Sequence, residues 1–175
     1  MHFAYADPPY PGKAFYYPEN SEVDYPSLVD RLVRSYSDGW ALSVSSAGLR
    51  DVLPLCPRVV RVCAWFKGPR WTKARRALCS WEPLIVFGGR PLATDDVQRL
   101  CDGLVARGRF RAFPSAMIGM KPPAFSEWMF NQLGATRGDT LDDLFPGSGA
   151  VGVAWVRYTS RRDPDVRSDS STFSK

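Results

Sequence analysis

Apolar and polar positions change rhythm several times along this chain, and each change predicts an element. The run His2-Phe3-Ala4-Tyr5-Ala6 has the length and character of a strand. It stops at Asp7 because Pro8 and Pro9 cannot continue a central ladder. From Tyr25 onward, Leu28, Val29, Leu32, Val33 and Tyr36 recur at helical spacing, and Pro26 suits a first turn, so a helix is expected over about 26–36. Residues 40–45 read as a short β-like run and 59–66 as another strand. Between them, 47–55 reads as a short helix closed by Pro54 and Pro57.

The second half repeats the alternation. Pro83-Leu84-Ile85-Val86-Phe87 is fully apolar and ended by Gly88-Gly89, as expected of a strand covered on both faces. A helix capped by Thr94, with acids in its first turn, is predicted over 94–105, and 107–122 reads as irregular. Helices over 123–133 and 149–158 flank a strand over 140–145. No internal repeat is present. Strands alternating with helices imply an α/β layer fold with a mostly parallel sheet, whose ligand sites lie beyond the strands' C-terminal ends. Two Gly/Pro-rich turns, one after each of the flanking strands 2–6 and 140–145, fall at that edge. Residues 1–160 are expected to form one domain, and the polar, serine-rich 161–175 a disordered tail.

Composition narrows the class. Of 175 residues 45% are apolar, with ten Phe, seven Tyr and six Trp, which excludes global disorder; no apolar run approaches the roughly 18 to 20 residues that cross a membrane. The first residues lack a basic start, an apolar stretch and a cleavage site, so an intracellular, cytoplasmic setting is expected. Cys56, Cys63, Cys79 and Cys101 form no CxxC pair and the only histidine is His2, which disfavours zinc and a thiol–histidine nucleophile. All four are expected to be reduced and mostly buried. The net charge of +5 is uneven: Lys67, Arg70, Lys73, Arg75 and Arg76 surround Trp71 within ten residues. That segment reads equally as a polyanion-binding loop and as a solvated loop whose long stems cover core edges.

Two turns carry candidate chemistry. Phe145-Pro146-Gly147-Ser148-Gly149 joins a strand to a helix start; glycines there admit close approach to the backbone, and the helix N-terminus offers N–H groups to an anion. The turn lacks the Gly-Lys-Ser/Thr of a phosphate loop and the third glycine of the dinucleotide fingerprint, which disfavours nucleoside triphosphates and NAD. In Asp7-Pro8-Pro9-Tyr10 two prolines stiffen the backbone, leaving the Asp7 carboxylate and the Pro8 carbonyl as acceptors and Tyr10 as a flat face. A planar base with an exocyclic amino group matches all three.

With "DPPY" at 7–10 and "KPPAFSEWMFNQLGATRGDTLDDLFPGSG" at 121–149, the chain resembles the DNA amino-methyltransferases that act on adenine N6 or cytosine N4, in the permuted order where the catalytic motif precedes the cofactor motif. Residues 81–88 resemble a later strand of the same fold. The resemblance implies a Rossmann-like methyltransferase fold and S-adenosylmethionine as cofactor. Carried over residue by residue, Asp7, Pro8, Pro9 and Tyr10 are catalytic. Asp143, Phe145, Pro146, Gly147, Ser148 and Gly149 bind the cofactor, with Lys121 and Pro122 lining its pocket. The implied reaction is in-line attack of the amine nitrogen on the sulfonium methyl, with Asp7 and the Pro8 carbonyl orienting the amine and a duplex substrate flipping its target base.

The chain also departs from that family. After the helix that follows the glycine turn, the pattern predicts no further strands, so two strands on the cofactor side are expected to be absent. The recognition region is reduced to 89–120 at most. Lys67, Arg70, Trp71, Lys73, Arg75 and Arg76, together with Arg107, Arg109, Phe110 and Arg111, supply the cations and aromatics for nucleic-acid contacts. Glu82 reads first as the partner of a neighbouring cation, and Phe125, Trp128 and Phe130 as core. The expected activity is methyl transfer to adenine N6 in DNA. The alternatives are a non-catalytic member that binds nucleic acid or a partner, and a methyltransferase for RNA or a small amine. The shortened pocket leaves room for a homo- or hetero-oligomeric partner that completes the cofactor or recognition site.

Overall fold

The computed structural model describes residues 1–16, 21–68, 79–91, 100–107 and 120–160. In chain order the elements are β1 (His2–Ala6), α1 (Tyr25–Ser35), β2 (Gly39–Ser43), α2 (Leu49–Val52), β3 (Arg61–Phe66), β4 (Trp81–Gly88), β5 (Gly103–Val105), α3 (Pro123–Gln132), β6 (Thr140–Asp143) and α4 (Ala150–Ser160). They build one six-stranded sheet in the order β5-β3-β4-β2-β1-β6. Every neighbouring pair is parallel except the two made by β4, which runs against both β2 and β3.

Alternation along β1 explains the two layers. Phe3 and Tyr5 enter one core with Trp65, Phe125, Met129 and Phe130, on the side of α3 and α4. Ala4 and Ala6 enter the other, with Leu28, Val29 and Leu32 of α1 and with Trp40 and Leu42 of β2. The small alanines let α1 approach the sheet. At the start of α1, the Asp24 side chain accepts a hydrogen bond from Ser27 N at 3.3 Å and Pro26 sits in the first turn.

The antiparallel β4 contains Pro83, which a ladder tolerates only where no N–H is needed. Its carbonyl accepts from Val44 N at 3.2 Å, and Val44 lies one residue past the end of β2. Because a strand residue directs its N–H and C=O to the same side, the missing N–H of Pro83 also faces this frayed end. The expected helix over 94–105 is corrected at its C-terminal end, where 103–105 form β5; residues 92–99 lie outside the described set. Beyond β3 the sheet would otherwise end on open backbone groups. Instead Ala64 N donates to Asp102 O at 2.8 Å and Ala106 N to Phe66 O at 3.0 Å, outweighing a helix interrupted by Gly103. The cysteines are free, yet Cys79 and Cys101 are exposed and only Cys63 is fully buried, correcting the expectation of mostly buried thiols. Both sit outside the strands, Cys79 just before β4 and Cys101 just before β5, the latter in the stretch expected to be helical.

At the opposite edge β6 is the outermost strand among the described residues. The expected tail, 161–175, lies outside the described residues. Among those that are described, no helix is long and apolar enough to cross a membrane.

Candidate active site

One edge of the sheet gathers the polar residues that the strands expel. The parallel strands deliver their C-terminal ends there: Asp7 follows β1, Ser43 ends β2, Lys67 follows β3 and Asp143 ends β6. Antiparallel β4 delivers its beginning instead, so Glu82, paired with Trp65 in the β3 ladder, joins them. Leu144 N donates to Tyr5 O at 2.9 Å, which holds the turn after β6 directly beside the turn after β1.

The Asp7-Pro8-Pro9-Tyr10 turn is fixed from several sides. Tyr25 Oη of α1 donates to the Pro9 carbonyl at 3.2 Å, and Lys13 N donates to the Tyr10 carbonyl at 2.8 Å. Beneath the turn, Tyr5 Oη and Ser43 Oγ share a buried hydrogen bond of 2.9 Å. Among the described residues none donates to the Pro8 carbonyl. The Tyr10 hydroxyl is buried without a completed hydrogen bond, as is Glu82 Oε2. Burial, reinforced by the charges of Asp7 and Glu82, pushes the phenol of Tyr10 well above its ordinary range, so it stays protonated.

Asp7 meets a lysine that lies 114 residues away: Lys121 Nζ donates to Asp7 Oδ2 at 2.6 Å. The same ammonium is 3.6 Å from Glu82 Oε2, and Lys67 pairs with Glu82 Oε1. The side chains of Lys121, Glu82, Lys67 and Asp7 are 4%, 12%, 12% and 20% exposed, so the four charges form a nearly dry chain that sums to zero, with Asp7 its most accessible member. Trp65 lies under both ammoniums, 5.2 Å from Lys67 Nζ and 5.9 Å from Lys121 Nζ, and Phe125 adds a second face at 5.7 Å from Lys121. Desolvation still dominates at Asp7: its carboxyl is raised above the usual range although Lys121 opposes this. Asp143 is raised by the same cause, with the Asp7 charge adding to it.

Asp7 and Lys121 each precede two prolines, Pro8-Pro9 and Pro122-Pro123. A residue before proline is confined to extended backbone, so both charged side chains stand on stiff bases. The repeated charged-Pro-Pro pattern marks both as stiffly mounted charges, but nothing in the sequence pairs them. Pro122 also starts α3, its carbonyl accepting from Phe125 N at 2.9 Å. Phe125, Met129 and Phe130 are fully buried and Trp128 nearly so, which makes that cluster core, as expected.

The second turn is built differently. Asp143 Oδ1 accepts from Phe145 N at 3.4 Å, and Phe145 is half-buried against the α1-side core. Pro146, Gly147 and Ser148 are exposed. Gly147 and Gly149 hold φ of 46° and 72°, a region that favours glycine, and a Cβ on Gly149 would meet nothing within 4 Å. The turn is therefore an open cradle that leads into α4. Of the expected nucleic-acid residues, Lys67 belongs to the charge chain and Arg107 is exposed. Arg70, Trp71, Lys73, Arg75 and Arg76 lie outside the described residues, as do Arg109, Phe110 and Arg111.

No protein-family model matches the chain, and no curated protein matches it. Among solved structures, the crystal structure of the M1.HpyAVI–SAM complex matches 90% of this chain and 77% of that one, with a TM-score of 0.56 and 13% sequence identity. At that identity the likeness is one of fold. The chain shares the Rossmann-like α/β arrangement of that structure, a mostly parallel sheet with helices on both faces.

Proposed function

We propose that this protein transfers a methyl group from S-adenosylmethionine to the exocyclic amine of a nucleic-acid base, adenine N6 in DNA. The observation that carries the reading is the juxtaposition of two turns at the ends of neighbouring parallel strands, Asp7–Tyr10 after β1 and Phe145–Gly149 after β6. Support for the chemistry comes from the fold shared with a methyltransferase that was crystallised with its cofactor.

The second turn suits such a cofactor. Its glycines leave open space beside the backbone, and Asp143, Phe145, Pro146, Gly147, Ser148 and Gly149 are the residues that would hold the group, with Lys121 and Pro122 bordering it. When bound, S-adenosylmethionine supplies an electrophilic methyl on a sulfonium. The chain's own part is to present the amine. Its two N–H groups find acceptors in the Asp7 carboxylate and the Pro8 carbonyl, and the base finds a flat surface in Tyr10. An aromatic amine is a poor nucleophile because its lone pair is delocalised into the ring. Two fixed acceptors favour the pyramidal form, which localises that pair. The buried surroundings strengthen both hydrogen bonds. Arg70, Lys73, Arg75 and Arg76 are assigned to the phosphate backbone, Lys67 being held by Glu82.

A second reading, a member that binds nucleic acid or a partner without methylating, is favoured by one feature: β6 has no neighbour on its outer side among the described residues. One assay separates the two. The protein is incubated with labelled S-adenosylmethionine and duplex DNA, RNA or nucleosides, and any methylated base is identified by mass spectrometry after digestion. N6-methyladenine formed by the wild type and lost in Asp7→Ala supports the first reading. Methylated cytosine or RNA would redirect the substrate assignment. A folded protein that binds DNA but not the cofactor would establish the second.

A further inference from the structure

Resting on the methyl-transfer reading, we infer that Lys121 is a positioning residue for Asp7, and that Glu82 with Lys67 sets how firmly it acts. The geometry divides the Asp7 carboxylate between two tasks. Oδ2 is taken by Lys121 Nζ at 2.6 Å, while among the described residues none donates to Oδ1. A carboxylate clamped at one oxygen presents the other in a fixed direction, and the side chain keeps enough exposure, 20%, to meet a ligand there.

The clamp is itself clamped. The Lys121 side chain is 4% exposed, rooted before Pro122-Pro123, and lies between Asp7 and Glu82. Glu82 is in turn held by Lys67. Each charge thus has an opposite charge beside it, an arrangement in which removing one member leaves a buried charge uncompensated. Lys121 acts through Asp7 and need not touch the reacting atoms.

Position and charge are separable by titration. Asp7 is faced by Lys121 from the start of α3, Glu82 from β4, Lys67 from the end of β3, Tyr5 from its own strand, Tyr10 from its own turn and Asp143 from β6. A neighbouring ammonium favours the carboxylate, and a neighbouring carboxylate disfavours it. Lys121→Met is therefore expected to move the Asp7 midpoint to higher pH. Glu82→Gln is expected to move it to lower pH, and Lys67→Met upward by less than Lys121→Met. A purely structural ion pair would move the midpoint in the same way, so a positioning role is read from the methyl-transfer rate and from an acid limb that follows the midpoint.

The experiment uses the full chain with ¹³C-labelled carboxyl groups, the Asp7 resonance being identified by its loss in Asp7→Asn. Carboxyl titrations are followed by NMR, cofactor affinity by calorimetry and methyl transfer by single-turnover kinetics across pH. The expected result for Lys121→Met is an upward Asp7 midpoint, a methyl-transfer rate lower by about 10²-fold, and an acid limb displaced in the same direction as the midpoint. Lys121→Arg should restore the midpoint toward wild type. If Lys121→Met does not fold, Glu82→Gln decides, through a downward midpoint with the acid limb of methyl transfer displaced in the same direction. Midpoints unchanged in these variants, or a Lys121→Met protein that loses cofactor affinity while Asp7 titrates as in wild type, would overturn the inference. A wild type that methylates nothing, while the midpoints move as stated, would instead sink the functional reading and leave the Asp7–Lys121 coupling intact.

Discussion

The two turns at the sheet edge occupy equivalent places and are supported very differently. The Asp7–Tyr10 turn leaves a central strand, with β2 on one side and β6 on the other, and is gripped by Tyr25 and Lys121. The Phe145–Gly149 turn leaves the outermost described strand and keeps Pro146, Gly147 and Ser148 exposed. The first is held from several sides. The second is a cradle closed on one side by β1 alone. In the proposed reaction, presentation of the amine would be limited little by reorganisation of the protein, whereas capture of the cofactor would depend on a less supported element.

The contrast is broken most directly at Asp7. Asp7→Ala should lower the methyl-transfer rate by about 10²–10³-fold, the scale of losing one preorganised electrostatic contact. It should also lower stability, because the buried Lys121 ammonium loses the carboxylate it donates to and keeps Glu82 at 3.6 Å. Equal loss of cofactor affinity in that variant would mean that the two turns are not functionally distinct. The next effect concerns what holds β6 at its other end. Asp139, just before β6, accepts from Arg90 at 2.7 and 2.9 Å and from Thr136 N at 2.7 Å. Its carboxyl is held well below the usual carboxylate range, first by the Arg90 hydrogen bonds.

A depressed folded-state value contributes stability above the unfolded value of about 3.9, and that contribution is lost as pH falls below it. Asp139→Asn should therefore cost about 3 kcal/mol at neutral pH by denaturant unfolding, with the difference from wild type closing in acid. Gly149→Val places a branched side chain at φ 72°, a strain of about 2 kcal/mol, although a Cβ there meets nothing within 4 Å. It should weaken cofactor binding in calorimetry and lower the unfolding free energy by no more than that strain. The smallest change is Tyr5→Phe, which removes the buried bond to Ser43 and should cost about 1 kcal/mol in thermal unfolding, with the cofactor affinity unchanged.

Much of this was readable along the chain. Strand 2–6, the helix over 26–36 and the helix over 123–133 lie within a few residues of β1, α1 and α3, because each carries a local mark: apolar residues at helical spacing in the helices, and in the strand a short apolar run stopped by two prolines. The residues of the two turns were also readable from their Pro and Gly, since both act on the local backbone. The C-terminal part of the helix over 94–105 was misread for the converse reason. Gly103-Leu104-Val105 is a strand only because β3 offers it unpaired backbone, and that partner lies far away in sequence.

The sequence by itself determined the mostly parallel α/β alternation and the identity of the two turns, which depend on local periodicity and on the conformational limits of Pro and Gly. Only the tertiary structure decided that Asp7 is partnered by Lys121 and that Glu82 and Lys67 complete the chain of charges. The reason lies in strand direction. Antiparallel β4 brings its first residues to the edge where the parallel strands end, and the apolar run Leu84-Ile85-Val86 reads the same in either direction. A buried ion pair requires both partners within a few ångströms, and that proximity arises only once the sheet has closed.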